Sequence, residues 1–297
     1  MQSNYSIQKI TTNDKSEIED LCKDIWEGDD YLPKRFDSWV DDKTGEFVKA
    51  LHKGKIVGVG KLTMNSPCDA WLEGLRKLPS FEGKSVGFSI MDYFIKKLKL
   101  DNSVKTIALS TYIHNDEAIR LFERLGFVKI LTRSYKFLDR EKYINKDVEI
   151  KLCDDLTTND IELFLKKSNY FKSLKGLITK DWKVLRYSNE IIQEFIDKGL
   201  TLCIKENDDI RALIVWHNAE SAASISILDG DRKYLEDLIH YFIKDVSEKG
   251  FDHIAAFKTE DKKVGEILDS IGFTSWETEN DFLLFTHPSK PMDLEIW

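Results

Sequence analysis

The chain predicts an α/β fold built twice, and three observations carry that reading. Strand-like and helix-like stretches alternate in both halves. Each half runs hairpin, strand, long amphipathic helix, strand, short helix, strand. The two short helices end in similar tails, LFERLGF (121–127) and ILDSIGF (267–273). At 297 residues there is room for two domains of about 150 residues each. The expected division is 1–140 and 146–297, two mixed sheets flanked by helices, with the second copy degenerate.

The elements follow in order. YSIQKIT (5–11) alternates as a short strand, and Asn13-Asp14 offers a cap for a helix whose Ile18, Leu21, Cys22 and Ile25 fall at helical spacing. Pro33 stands near the start of a second helix with Phe36, Trp39 and Val40 on one side. EFVKALHKGKIVGVGKLTM reads as a hairpin around Lys53-Gly54, and AWLEGLRKL (70–78) as a strand halted by Pro79. Phe88, Ile90, Met91, Phe94, Ile95 and Leu98 make an amphipathic helix; TIALSTYI (106–113) is a strand, NDEAIRLFERLGF (115–127) a helix stopped at Gly126, and the residues after it a strand. In the second half DVEIKLC (147–153) reads as a strand, 157–170 and 180–199 as helices, and 200–218 as a hairpin. SAASISILDG is a strand, 234–250 a helix, DHIAAFKT a strand, 262–273 a helix and DFLLFTH a last strand.

Composition narrows the function classes. The net charge is −8, with the acidic excess in the second half and no basic stripe, which argues against nucleic acid as a partner. No apolar run approaches the roughly 20 residues of a membrane span. With no basic-then-apolar leader pattern at the N-terminus, a cytoplasmic location is expected. Four scattered cysteines and six histidines show no metal-ligand spacing, so no metal is expected.

The chemistry-bearing stretch is EGLRKLPSFEGKSVGFSIMDYFIKKL (73–98), a strand, a glycine- and lysine-bearing turn, then a helix start. Glycines let backbone N–H groups approach phosphates, and a helix N-terminus favours negative charge. With the downstream pattern Asn115-xx-Ala118-xx-Leu121-Phe122 and Gly126-Phe127, residues 46–137 resemble the GCN5-related N-acetyltransferase superfamily. The wider order resembles its tandem branch, which includes histidine N-acetyltransferase-like proteins.

The resemblance implies acetyl-CoA as cosubstrate. It places the pyrophosphate on the backbone of Glu82, Gly83, Lys84, Ser85, Val86 and Gly87, with Leu75, Lys77, Asn115 and Phe122 along the rest of the molecule. Four positions depart from the family pattern: Glu82 for Arg or Gln, Ser85 for glycine, Lys77 for a common Val, and Phe122 for the Tyr often serving as general acid. Glu73, on the strand before the loop, occupies a position where the family often carries a base; His114 is a second, weaker candidate. On strand alternation, Glu73, Leu75 and Lys77 share one face. Tyr31 and Trp39 lie where the family builds its acceptor pocket. The second half has no such loop, and Asp229, Asp231, Glu236 and Asp237 around its helix start argue against CoA there.

Two functions follow. One is acetyl transfer to the amine of a small molecule, such as an amino acid, by direct attack in a ternary complex. The other is a binding module with a decayed CoA site. The acceptor and the oligomeric state stay open.

Overall fold

The structure is a computed structural model describing residues 5–81, 84–143, 146–180, 182–219, 222–258 and 261–292. Its compact units are residues 1–131 with 284–292, and 132–283 with 293–297. The chain therefore passes between units three times, after residues 131, 283 and 292, where the sequence suggested one cut between 140 and 146.

The first unit contains β1 (Ser6–Lys9), α1 (Lys15–Cys22), α2 (Leu32–Asp41), β2 (Glu46–His52), β3 (Lys55–Ser66), β4 (Asp69–Lys77), α3 (Val86–Leu100), β5 (Thr106–Tyr112), α4 (Asp116–Arg124) and the start of β6 (Val128–Asp139). Strands β1 to β5 lie side by side in chain order, antiparallel except for the parallel pair β4–β5. On one side α1 and α2 bury Ile18, Leu21, Leu32, Phe36 and Trp39. α3 buries Val86, Ile90, Met91, Phe94, Ile95 and Leu98, the stripe expected from its periodicity.

The second unit carries β6 from residue 132, then α5 (Thr158–Lys167), α6 (Asn169–Ser173), β7 (Leu177–Lys180), β8 (Lys183–Arg186), α7 (Asn189–Asp197), β9 (Thr201–Glu206), β10 (Asp209–Ala219), β11 (Ala222–Gly230), α8 (Arg232–Glu248), β12 (His253–Lys258), α9 (Lys262–Ile271) and β13 (Thr274–Ser275). Its strands run β6-β12-β11-β10-β9, with β11–β12 the parallel pair. A core of Leu, Ile, Phe and Trp216 lies against α8 and α9. β14 (Phe282–Thr286) leads back to the first unit, where His287 donates its N–H to the Ile107 carbonyl and Ile107 donates to Lys290, each at 2.9 Å.

The short-helix tails are physical equivalents. Gly126 and Gly272 take φ of +87° and +109°, and the next residue bonds back to the helix: Phe127 N–H to Phe122 O at 2.9 Å, Phe273 N–H to Leu268 O at 3.0 Å. That is the six-to-one closure of a glycine-capped helix end, and both phenylalanines are buried by it.

Three expected elements differ. The helix expected over 157–170 breaks at Ser168, whose extended backbone ends α5 and whose hydroxyl accepts the Phe171 N–H at 2.8 Å to start α6. Residues 147–153 form no strand; the segment is tied down by the Cys153 N–H on the Cys203 carbonyl at 2.8 Å. Residues 180–199 are not one helix, because β7 and β8 pair as a short hairpin ahead of α7. Ser188 decides that boundary: its backbone is extended and its hydroxyl accepts from Ile191 N–H, starting the helix there.

Candidate active site

The site is built around an irregularity in β4. Val59 pairs with Arg76 and Lys61 with Glu73, so Gly60 alone faces Gly74 and Leu75. β4 thus carries one extra residue, a β-bulge, and Gly74 takes φ +63° there. A Cβ on Gly74 would stand 2.6 Å from two ring carbons of Trp39. The parallel ladder to β5 ends earlier, at Trp71↔Ala108, so the last part of β4 runs on without β5 pairing.

The bulge corrects the expected alternation. Glu73 and Arg76 lie toward α1 and α2. Leu75 turns to the other face, where its side chain would meet a Cβ on Gly60 or Gly87. Lys77 pairs with Gly58, whose added Cβ would meet Val86 of α3, so Lys77 shares that second face.

On the first face Glu73 is half-buried, and its Oε1 accepts the Thr63 hydroxyl at 2.5 Å. Beside it a cluster forms that the sequence did not reveal. Arg76 grips Asp30 with two hydrogen bonds, Nε to Oδ2 at 2.8 Å and Nη2 to Oδ1 at 2.9 Å. The guanidinium also lies 4.6 Å from the Trp26 ring centre and 5.2 Å from that of Tyr31. Burial works to raise the Asp30 carboxyl, but Arg76 and the Leu32 N–H outweigh it and hold the group below its ordinary value. Burial pushes the Tyr31 phenol up; Arg76 pulls against this and Glu73 adds to it. Tyr31 is half-buried, whereas Trp39 is buried beneath it, edge-on at 6.1 Å. No local motif marks the Asp30–Arg76 pair, because its members stand 46 residues apart and meet only through the fold.

On the second face lies the turn before α3. Glu82 and Gly83 lie outside the described residues. Lys84 curls back, its ammonium 2.9 Å from the Ser80 carbonyl and 4.8 Å from the Phe81 ring centre. The Lys84 carbonyl takes the Tyr5 hydroxyl at 2.7 Å, anchoring the turn to the chain's first strand region. Ser85, where the family carries glycine, sits at φ +61° as the N-cap residue of α3 and makes no side-chain cap. Val86 is buried, and Gly87 leaves room for Leu121 and Leu75, which a Cβ would meet at 3.2 and 3.3 Å.

The α4 residues are placed with definite roles. The Asn115 Oδ1 accepts the Ala118 N–H at 3.2 Å as the N-cap. Lys77 is ion-paired with Glu117. Phe122 is buried among aromatic rings, 6.1 Å from Phe127 and 5.7 Å from Phe285. His114 is exposed and edge-on to Tyr112. Among the described residues no group of three or more His, Cys, Asp or Glu could hold a metal, and no helix is long and apolar enough to cross a membrane.

The second unit repeats the frame without the turn. β10 and β11 shift register at Ser226, and the β11–β12 ladder ends at Ile225↔Ala256. Between β11 and α8 only Asp231 intervenes, leaving no loop to wrap a diphosphate.

Comparison with known proteins agrees with this geometry. Residues 13–127 match the acetyltransferase (GNAT) family model. A histidine N-acetyltransferase of Oreochromis niloticus is 29% identical over 99 residues, 33% of this chain and 29% of that protein. The spore coat polysaccharide biosynthesis protein SpsD of Bacillus subtilis (strain 168) is 32% identical over 81 residues, 27% of each chain. The aligned stretches thus span under a third of these curated relatives. A GCN5-related N-acetyltransferase from Sphaerobacter thermophilus superposes over 100% of both chains with a TM-score of 0.67 at 12% identity, which shows a shared fold. Residues 13–127 thus match the acetyltransferase (GNAT) family, and over its whole length the chain shares the fold of a GCN5-related N-acetyltransferase.

Proposed function

We propose that the protein transfers an acetyl group from acetyl-CoA to the amine of a small molecule, by direct attack in a ternary complex. The observation that carries this reading is the bulged end of β4. It leaves the β5 ladder, turns Glu73 toward Tyr31, and turns Leu75 and Lys77 toward α3 and α4.

The residues present fit acetyl-CoA. The 15-residue helix α3 has no side-chain cap and no acidic residue in its first turn, so its leading N–H groups are available to a diphosphate. The backbone of Lys84, Ser85, Val86 and Gly87, with Glu82 and Gly83 before them, would hold that group. The unpaired end of β4 from Leu75 to Lys77 would hold the arm, with Asn115 and Phe122 nearby. The Lys77 N–H would polarise an acyl oxygen. When bound, the cosubstrate supplies an activated acyl group.

The chain's own contribution lies with Glu73. It takes a proton from the acceptor ammonium, directly or through a water, and the Thr63 hydroxyl holds the carboxylate in place. Tyr31, supported from below by Trp39, lines the acceptor side. No phenol stands at position 122, so the chain supplies no general acid there. Mixing enzyme, acetyl-CoA and a matching amine should release free thiol. Glu73→Gln should slow turnover about 10²–10⁴-fold with little change in CoA affinity; equal turnover removes Glu73 from the reaction.

Phe122 in its aromatic cluster favours a second reading, a non-catalytic module with a decayed site. Calorimetry with acetyl-CoA separates the two, since absence of binding at millimolar ligand supports the module.

A further inference from the structure

Arg133 on β6 is among the most deeply buried side chains in the molecule, 2% exposed. Its Nη2 donates to the Leu174 carbonyl at 3.0 Å, while Nε and Nη1 are buried with no acceptor among the described residues. Among the described residues it makes no ion pair. The contrast along β6 is sharp. Lys136 has two carboxylates within reach, Glu279 at 2.6 Å and Asp269 at 3.2 Å. Asp281 accepts the Tyr135 N–H at 2.7 Å. An uncompensated guanidinium in a protein interior is costly, and guanidinium geometry suits carboxylate oxygens.

The same face of β6 supplies an apolar wall, since Tyr135 lies two residues on. Its ring closes a quartet: Tyr135–Trp182 at 5.9 Å, Trp182–Phe282 at 5.4 Å, Phe282–Phe257 at 5.0 Å and Phe257–Tyr135 at 5.3 Å. Phe257 and Phe282 are buried, whereas Tyr135 and Trp182 are half-buried and form the exposed side of the quartet. A charge receptor on the same strand face as flat rings is what a small aromatic acid requires.

We propose that the second unit binds an organic carboxylate bearing an aromatic or flat apolar group, with Arg133 as receptor for its oxygens and the ring quartet as its wall. The site is separate from the acyl-transfer machinery and does not depend on it.

Benzoate is the probe, benzamide its neutral isostere and inorganic phosphate the ion control, each titrated into the full chain by calorimetry with tryptophan fluorescence alongside. Saturable benzoate binding is expected, with benzamide and phosphate at least tenfold weaker. Arg133→Met should lose benzoate binding at least tenfold while keeping its far-UV circular dichroism. If that variant does not fold, Trp182→Leu should still weaken benzoate about tenfold by thinning the wall. Failure of the wild type to bind benzoate overturns the proposal. So does equal binding of benzamide, retention of affinity in a folded Arg133→Met chain, or binding of phosphate alone.

Discussion

Ser85 holds a left-handed backbone at φ +61° that a Cβ makes costly, at the head of α3. The sequence flagged this position because the resembling family carries glycine there, and the structure gives the reason in a torsion angle. Ser85→Gly should stabilise the protein by about 0.5 kcal/mol, the relief of strain being partly offset by unfolded-chain entropy; denaturant unfolding measures it. Gly74 is the opposite case. Its φ of +63° and the Trp39 ring 2.6 Å from any added Cβ mean that Gly74→Ala should cost about 2–4 kcal/mol. Periodicity alone missed this glycine's role, because alternation assumes one residue per pleat and a bulge breaks that count. Glu73 is singled out in the sequence by its place before the loop; Arg76, on the same face, is not, since the acid that holds it lies in a distant turn.

Among the elements, the connection from α1 to α2 is fastened to β4 by the Asp30–Arg76 pair, with side chains 1% and 12% exposed. Removing one member leaves the other buried and uncompensated. Asp30→Asn should therefore destabilise the protein by about 3–5 kcal/mol and loosen the segment around Tyr31; hydrogen exchange over 25–31 reads the loosening. A second carboxylate ties β6 to the segment after β13. Burial works to raise the Glu279 carboxyl, but hydrogen bonds from Lys136, Ser134 and Ser275 bring it from its ordinary 4.5 to about 2. A lowered carboxyl stabilises fully above its unfolded value and loses that contribution as pH falls through the folded one. Between pH 4.5 and about 2 the wild type should lose more stability than Glu279→Gln. The effect is modest because the side chain is half exposed. Long periodic helices such as α3 were readable from apolar spacing. The β7–β8 hairpin was not, because strands this short carry too few residues to show a period.

For the whole molecule, the order of elements was readable twice over, and the paired Gly-Phe helix ends proved to be one physical motif. The path of the last strand was not readable. Its apolar run DFLLFTH announces a strand but names no neighbour, and residues 284–292 belong with the first unit through Ile107, His287 and Lys290. Ending the chain after Leu283 should lower the unfolding midpoint of the first unit by several degrees, followed by proteolysis at 106–112, since the β5 backbone loses those acceptors and donors. During synthesis the ribosome delivers residues 1–131 long before residue 284 exists. The unit begun first is then completed only after residue 284, and it waits with β5 lacking those contacts while residues 132–283 of the second unit are translated. A pause in translation anywhere in that interval prolongs the exposure, so this fold places its demand for a chaperone on the early half of the chain.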